Sequence, residues 1–205
     1  MRLKSMKKGR VIYLNGSTSS GKTTVAKNFE LLEKEPYLYL GLDTFIGMLP
    51  LGYFGKVPPA DQCMLITPFI DEEGHNQVKL EYGPMAMKLI KVMYETVRLL
   101  AEEGLNVIFD DVYWDLPFPA KILKGIDVTL VSIYAPLDVL ETREIMRSNR
   151  TPGMARWQFS RIYPEDRVYD LEIDTSKISP EEAVKQIQDF LKNGTSTAFD
   201  KIRKN

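Results

Sequence analysis

Apolar, β-branched and aromatic runs alternate along this chain with longer stretches of helical periodicity. Five of the runs are bounded by turn-forming residues and are predicted strands, at residues 11–14, 37–40, 105–109, 128–134 and 168–173. The first and the fourth are apolar almost throughout, which is typical of parallel strands that helices cover on both faces. The alternation therefore predicts an α/β fold with a parallel sheet.

Helical periodicity is clearest in the stretch that opens at Pro84 and ends near Gly104. Its apolar residues repeat on one face and are predicted to be core: Ala86, Leu89, Ile90, Met93, Val97 and Leu100. Two further helices are predicted, one at residues 136–149 and one that follows the start signal Ser179-Pro180 and extends to residue 192. Residues 1–10 and 193–205 are expected to be frayed ends.

Length and charge narrow the class of protein. With 205 residues, of which 44% are hydrophobic and 27% charged, the chain is predicted to form one domain, residues 1–205, with its core at about 11–192. The 27 Lys and Arg residues nearly balance 28 Asp and Glu residues, for a net charge of −1. A dedicated nucleic-acid binder carries a basic footprint instead, so no nucleic-acid partner is predicted.

Cysteine and histidine are scarce, because the sequence holds one of each, Cys63 and His75. An intramolecular disulfide and a zinc site of the Cys/His type therefore lack the residues they need. No signal-like apolar segment follows the basic start, and the uncharged residues 44–55 are too few to span a bilayer. We expect a cytoplasmic protein without a membrane partner.

A phosphate-binding motif comes directly after the first predicted strand. The pattern G-x-x-x-x-G-K-[ST] is matched by Gly16, Ser17, Thr18, Ser19, Ser20, Gly21, Lys22, Thr23 and Thr24. Backbone N–H groups of such a loop wrap an anionic phosphate, and a helix that follows points its N-terminal dipole at the anion. We predict an ATP-type site in which Lys22 contacts the β- and γ-phosphates and Thr23 holds Mg²⁺.

A magnesium site of this kind also needs a carboxylate at the end of a neighbouring strand. Asp110 and Asp111 follow the apolar run 106–109 and supply one. Asp110 is the first choice for the metal and Asp111 the second. The alternative is that one of the two caps the segment that follows.

The motif alone does not say what is done with the nucleotide. Regulatory GTPases carry an Asn-Lys-x-Asp guanine reader and an Asp-x-x-Gly switch, and the sequence contains neither in the expected places. A phosphotransferase is the remaining class of small P-loop protein. It needs an acceptor pocket, a group that orients the acceptor, and cations that close over the transferred phosphoryl group.

Asp43 is the candidate base. It lies just past the second predicted strand, so in a parallel sheet its carboxylate sits at the same edge as the phosphate loop. An ionised aspartate there accepts the proton of an acceptor hydroxyl and holds its oxygen in line with the γ-phosphate. An N-cap for a helix that begins at Thr44 is an equally good interpretation from the residues alone.

The stretch after Asp43, residues 45–54, is apolar and aromatic without charge, which suits the wall of a pocket for a hydrophobic hydroxylated molecule. It suits a lid hinge or a dimer contact nearly as well, so formation of a homo-oligomer stays open.

Arginines cluster at residues 143–161, where the net charge is +4: Arg143, Arg147, Arg150, Arg156 and Arg161 against Glu144. The first three fall at i, i+4 and i+7 and are predicted to share a helix face. Such a face neutralises ATP phosphates in a closed state, so we interpret the segment as an arginine-rich lid. The alternative is a solvated helix in which Glu144 pairs with Arg147.

Taken together, these residues resemble the chloramphenicol phosphotransferase-like family of P-loop kinases over most of residues 11–187. The matching motifs are the phosphate loop, Glu35-Pro36-Tyr37-Leu38, Gly41-Leu42-Asp43-Thr44, Met48-Leu49-Pro50, Gly83-Pro84, Ile108-Phe109-Asp110-Asp111-Val112, Arg143-Glu144 with Arg147 and Arg150, Gly153-Met154-Ala155 and the stretch 169–175. Residues 52–82 depart from the family pattern, so no acceptor-contacting residue is transferred.

The resemblance implies a nucleoside-kinase-like P-loop fold with strand order 2-3-1-4-5. It also implies ATP-dependent phosphorylation of a hydroxyl, with Asp43 as base and the lid arginines on the phosphates. We therefore predict Asp43, Lys22, Arg147 and Arg150 as catalytic residues, Arg143 with the loop as the nucleotide site, and Thr23 with Asp110 as metal ligands.

The predicted protein is thus a Mg·ATP-dependent kinase of a small hydroxylated molecule, with chloramphenicol or a similar antibiotic among the acceptors and antibiotic resistance as the consequence. A kinase of a nucleoside, sugar or other metabolite is the alternative within enzymes. A regulatory nucleotide-binding module without an acceptor is the alternative from another class.

Overall fold

The computed structural model describes residues 7–55, 60–147 and 152–204. In chain order its strands are β1 Arg10–Asn15, β2 Tyr37–Gly41, β3 Phe54–Gly55, β4 Met64–Ile70, β5 Asn76–Tyr82, β6 Asn106–Asp111, β7 Asp127–Tyr134 and β8 Leu171–Asp174. The helices are α1 Lys22–Leu32, α2 Leu42–Ile46, α3 Pro84–Glu102, α4 Pro117–Ile122, α5 Leu137–Ile145, α6 Met154–Ile162, α7 Pro180–Asn193 and α8 Ala198–Ile202.

The central sheet has five strands in the order β2-β6-β1-β7-β8, and every neighbouring pair is parallel. Counted in chain order within this sheet alone, the order is 2-3-1-4-5, as predicted. β1 lies in the middle and is buried from Val11 onward because helices cover both faces. The carboxyl ends of β1, β2 and β6 therefore meet at one edge, where Gly41 pairs with Asp110 and Asn15 with Asp111.

Two apolar layers hold the helices to this sheet. On one face, Tyr13 and Phe109 stack with ring centroids 4.2 Å apart beneath α3, whose buried stripe includes Ile90 and Met93. On the other face, Phe29 of α1 packs among β-branched residues of the sheet and of α7. The predicted α/β architecture is confirmed, and the helix at α3 has the predicted start and core face.

The helix predicted at residues 136–149 is shorter than expected, since α5 ends at Ile145. Ile145 and Met146 are 70% and 78% exposed, so no apolar contact stabilises another turn. By contrast, α7 ends close to the predicted residue 192 and begins with a capping box, in which Ser179 and Glu182 bond each other's backbone N–H groups.

A second sheet, which the sequence analysis did not predict, follows α2. It has the order β3-β4-β5, with β4 and β5 antiparallel around a turn at residues 71–74. β5 docks on the start of α6, because the Val78 N–H donates to the Gly153 carbonyl at 3.1 Å. Met154 and Trp157 of α6 pack there against Val78 and Leu80.

The C-terminal segment is packed, which corrects the expectation that residues 193–205 are frayed. Phe199 of α8 is 4% exposed and meets Tyr13 edge to face. The Asp170 carboxylate accepts hydrogen bonds from the backbone N–H groups of Thr197 and Ala198 at 2.6 and 2.8 Å. Of the other end that was predicted to be frayed, residues 1–6 lie outside the described residues, and Arg10 begins β1. Within the three described ranges, no helix has both the length and the apolar character needed to cross a membrane.

Candidate active site

The loop between β1 and α1 has the backbone shape that the motif requires. Gly21 lies in the left-handed region at φ 95°, and so does Ser19 at φ 62°, a conformation rare for residues other than glycine. A Cβ on Gly16 would come within 2.3 Å of the Ile133 carbonyl oxygen. Both glycines are therefore required by the geometry.

Lys22 is folded back over the loop. Its Nζ donates to the carbonyl oxygens of Gly16 and Ser17, each at 2.8 Å, and the residue is 8% exposed. An ammonium group held at the centre of a loop of backbone N–H groups forms a positive cradle, which is the electrostatic requirement for a polyphosphate.

Asp110 is the next-to-last residue of β6 and lies beside the loop. Its Oδ2 accepts hydrogen bonds from the Thr23 hydroxyl at 2.6 Å and from the Tyr39 hydroxyl at 3.0 Å. Burial, and then the Asp110 charge, raise the pKa of Tyr39, so the phenol stays a donor. The hydroxyl and carboxylate oxygens of Thr23 and Asp110 are the hard ligands that Mg²⁺ prefers, so these residues fit a magnesium ion.

The side chain of Asp111 points into the core, although its backbone carbonyl accepts a hydrogen bond from the Gly16 N–H at 3.2 Å. Its carboxylate accepts hydrogen bonds from the hydroxyls of Tyr13 and Tyr94 and from the backbone N–H groups of Val112 and Tyr113. Burial raises the pKa of Asp111. This carboxylate therefore holds the chain after β6, which is the capping alternative considered for one of the pair.

Asp43 reaches the same edge of the sheet from β2. It lies in the first turn of α2, whose N-cap is Gly41, so the helix does not use Asp43 as its cap. Asp43 lines a cleft of about 710 Å³ together with residues of the loop and of the lid: Lys22, Thr23, Asp110 and Arg147. With Thr18, Ser19 and Gly21, which also line it, the cleft brings eight of the predicted site residues together, while their chemical roles stay predictions.

Much of the rest of the cleft wall comes from elements that the sequence analysis did not predict. Met64, Leu80 and Tyr82 reach it from the second sheet, and Met154 and Gln158 reach it from α6. The alternation of Val78, Leu80 and Tyr82 with charged residues is a period-two strand signal that would have revealed β5.

Most of the described side chains at residues 45–54, which were predicted to form the wall of the acceptor pocket, do not line the cleft. Of these side chains, Ile46 lines the cleft. Phe45 and Leu49 are buried in the core, whereas Leu51 is 94% exposed. The reason is that α2 turns its apolar face toward α3, which leaves only the edge of that face for the cleft.

The five lid arginines have different surroundings. Arg156 forms an ion pair with Glu141 at 2.6 Å, and the Arg161 guanidinium lies over the Trp157 ring at 4.1 Å. Arg147 follows the end of α5 and so does not share a helix face with Arg143, contrary to the prediction. Arg150 lies outside the described residues.

Glu144 is 1% exposed and accepts hydrogen bonds from the backbone N–H groups of Gly153 and Ala155 at 2.8 and 2.9 Å. Its carboxylate therefore caps the start of α6, which leaves the proposed pairing with Arg147 without support.

A second pocket, of about 850 Å³, lies on the outer side of the loop. Arg143 crosses it and donates to the Thr175 hydroxyl and carbonyl at 2.9 and 2.8 Å. Apolar side chains of α1, α7 and the loop before α7 form much of its wall: Val25, Ile178, Pro180 and Ala183. Ser19, Gly21, Thr24 and Arg147 border it as well, so it is continuous with the phosphate loop.

Comparison with known proteins identifies the family to which this chain belongs. A sequence model described as chloramphenicol phosphotransferase-like protein matches residues 9–192. The chain belongs to this family. It is also 27% identical over 203 residues to a protein of Mycobacterium tuberculosis strain H37Rv that is provisionally named an O-phosphotransferase, covering 97% of this chain and 90% of the relative. The family and this relative support a kinase-like phosphotransferase.

Solved structures support the fold. A sugar kinase from Janibacter sp. HTCC2649 has a TM-score of 0.63 at 15% identity, with 90% of this chain and 95% of that chain covered. The Mycobacterium tuberculosis APS kinase in complex with AMPPNP and APS has a TM-score of 0.59 at 19% identity, with 91% and 99% covered. The family member described here therefore has the P-loop kinase fold predicted from its sequence.

Proposed function

We propose that this protein is a Mg·ATP-dependent kinase that transfers the γ-phosphoryl group to the hydroxyl of a small molecule. The observation that carries the proposal is the single cleft in which Asp43 faces the same space as Lys22, Thr23 and Asp110. A nucleotide cradle and a carboxylate in one cleft are what in-line transfer to an alcohol requires.

Two regions of the protein bind the nucleotide. The loop N–H groups and Lys22 hold the β- and γ-phosphates, and the apolar pocket beyond Thr24 takes the base next to Arg143. The AMPPNP in the APS kinase complex supports ATP as the donor on this fold. Thr23 and Asp110 hold Mg²⁺, which neutralises charge on the phosphoryl oxygens.

Asp43 prepares the acceptor. Its carboxylate accepts the hydroxyl proton as the acceptor oxygen forms its bond to the γ-phosphorus and the bond from that phosphorus to the β-γ bridging oxygen breaks, which releases ADP. Arg147, with Arg150, neutralises charge that develops on the transferred group. Closure of the segment 143–161 excludes water and so limits hydrolysis of ATP.

The acceptor side of the cleft favours an uncharged molecule with an apolar body. Among the described residues, Met64, Leu80, Tyr82 and Ile46 form this side with apolar and aromatic side chains, while the basic residues of the cleft, Lys22 and Arg147, belong to the loop and the lid. Chloramphenicol and similar antibiotics have this character, which agrees with the family, so we propose them first and antibiotic resistance as the outcome.

A transfer screen followed by ³¹P NMR tests the proposal. The protein is incubated with Mg·ATP and single acceptors drawn from chloramphenicol, nucleosides and aminoglycosides. We expect a phosphomonoester signal that grows in a one-to-one ratio with ADP for the true acceptor. The variant Lys22→Ala, which removes the positive charge from the phosphate loop, should produce neither the phosphomonoester nor ADP.

Release of inorganic phosphate at the same slow rate with and without every acceptor would contradict the kinase assignment. The protein would then be a nucleotide-binding module.

A further inference from the structure

Gln158 of α6 lies between the lid and the phosphate loop. It is 1% exposed and lines the cleft beside Lys22 and Asp43. Its Oε1 accepts a hydrogen bond from the Thr18 backbone N–H at 2.7 Å and a longer one from the Ser17 hydroxyl at 3.4 Å. A polar side chain of the lid helix is thus bound directly to the loop.

These contacts determine which way the carboxamide faces. A backbone N–H can only donate, so the atom that meets Thr18 must be the oxygen. The Nε2 group of Gln158 therefore faces away from Thr18.

Two hydroxyl groups of the phosphate loop lie in the same cleft as Gln158. Thr18 Oγ1 and Ser19 Oγ are buried without a hydrogen-bond partner among the described residues, and both residues line the same cleft. Thr18 and Ser19 are 5% and 4% exposed. Two buried hydroxyls of the loop thus lie in the cleft that Gln158 also lines, and among the described residues neither has an oxygen to bind.

We propose that Gln158 binds the terminal phosphoryl group of the nucleotide, with its Nε2 donating to a γ-phosphoryl oxygen. This proposal rests on the proposed function, because it requires a triphosphate in the loop. Oε1 is anchored on Thr18, so the nitrogen of the same planar amide is held next to the phosphate cradle. Gln158 thereby distinguishes a bound triphosphate from a diphosphate.

The same residue connects the acceptor wall to the loop. Met154, one turn before Gln158, contributes to the acceptor side of the cleft and packs on β5. A contact from Gln158 to the γ-phosphoryl group therefore links the transferred group, through α6, to β5 on the acceptor side of the cleft.

The isosteric variant Gln158→Glu separates a ligand role from a structural one. Its carboxylate still accepts from the Thr18 N–H and the Ser17 hydroxyl, so the loop keeps its anchor. Its second oxygen carries negative charge where Nε2 was a donor, and this oxygen repels a phosphoryl group. Gln62→Glu makes the same change of charge at an exposed residue outside the cleft and is the matched control.

The measurement is the affinity for AMPPNP and for ADP, each with Mg²⁺, by isothermal titration calorimetry. For Gln158→Glu we expect AMPPNP to bind about 10- to 100-fold more weakly, while the affinity for ADP changes by less than about 3-fold. Gln62→Glu should leave both affinities unchanged. Thermal melting of each variant verifies that the fold is retained.

Equal retention of both affinities in Gln158→Glu would overturn the proposal, and a raised KM for the acceptor in that case would assign Nε2 to the acceptor instead. Equal loss of both affinities would overturn it as well, because the side chain would then serve only to shape the loop. Failure of the unmodified protein to bind either nucleotide would refute the proposed function itself.

Discussion

Asp110 and Asp111 are adjacent in the chain but have opposite environments, since successive residues of a strand face opposite sides of the sheet. Asp110 accepts from Thr23 at the loop, whereas Asp111 accepts from Tyr13 and Tyr94 in the core. One strand end therefore supplies both a candidate metal ligand and a structural anchor. The two carboxylates are expected to respond differently to substitution.

Asp110→Asn should weaken the use of Mg²⁺, because the amide oxygen that replaces the carboxylate carries no net charge. We expect the Mg²⁺ concentration for half-maximal transfer to rise by about tenfold or more. A magnesium titration of the transfer rate at saturating ATP measures this. An unchanged magnesium requirement with a normal rate would remove Asp110 from the metal site.

Asp43→Asn should act on chemistry without acting on nucleotide binding, since the amide cannot accept the hydroxyl proton. We expect the rate of transfer to fall by about 100- to 10,000-fold, with the affinity for Mg·AMPPNP within about 3-fold. Single-turnover kinetics measures the rate of transfer, and calorimetry measures the affinity for Mg·AMPPNP. If Asp43→Asn kept a normal rate with the same acceptor, another group would have to be the base.

Among the elements, α6 connects the phosphate loop to the lid and to the second sheet. Glu144 caps its first turn, Gln158 reaches the phosphate loop, and Trp157 packs on the second sheet. Its start depends on Gly153, which has φ 106° and would carry a Cβ only 2.6 Å from the Asn76 carbonyl oxygen. The helix and β5 can meet at this distance only through a glycine.

Gly153→Ala should therefore lower the free energy of unfolding by about 2 kcal/mol or more, through the left-handed backbone and the clash together. It should also raise the KM for the acceptor, because β5 forms part of the cleft wall. Gly125→Ala is the matched control, since Gly125 has φ 82° with no atom near its Cβ position, and it should cost only about 1 kcal/mol.

Urea unfolding of both variants supplies the comparison. Equal losses in Gly153→Ala and Gly125→Ala would contradict the close approach of β5 to α6.

At the scale of the whole molecule, the C-terminal segment returns to the central sheet and packs in the same apolar layer as α3. α8 returns under the central strand, where Phe199 meets Tyr13, and Asp170 holds the turn that leads into it. Tyr13 is also a hydrogen-bond donor to Asp111. The C-terminal segment therefore supports the core directly behind the candidate site.

Phe199→Ala should destabilise the protein by about 3 kcal/mol, the lower end for loss of a buried phenylalanine, because a terminal helix relaxes into the space. Leu31→Ala, at a side chain that is 81% exposed, is the control and should change stability by less than about 0.5 kcal/mol. Denaturant unfolding measures both. A loss below that of the control would mean that α8 is not part of the cooperative core.

Much of the site was predictable because it depends on local geometry. The run from Gly16 to Thr24 follows a strand and precedes a helix, so its loop conformation is encoded within a few residues. Asp43 and Asp110 were predictable as neighbours because Asp43 comes just after one strand of a parallel sheet and Asp110 lies near the end of another, and the carboxyl ends of such strands share an edge. The five strands of the central sheet follow from their apolar runs in the same way.

Gln158 and the second sheet were not predictable by that route. Gln158 is a polar residue with no motif, and it reaches Thr18 across 140 residues of chain. The packing of Phe199 on Tyr13 and the separation of Arg143 from Arg147 likewise depend on how distant elements pack and where a helix loses its support.

The amino-acid order by itself therefore determined the phosphate loop, the strand-end carboxylates and the parallel α/β core, since short-range backbone preferences and apolar periodicity encode them. Only the folded chain decided which side chains wall the acceptor side of the cleft and which lid residue meets the loop. Those contacts join segments far apart in sequence, and only the packing of the whole core brings them within hydrogen-bond distance.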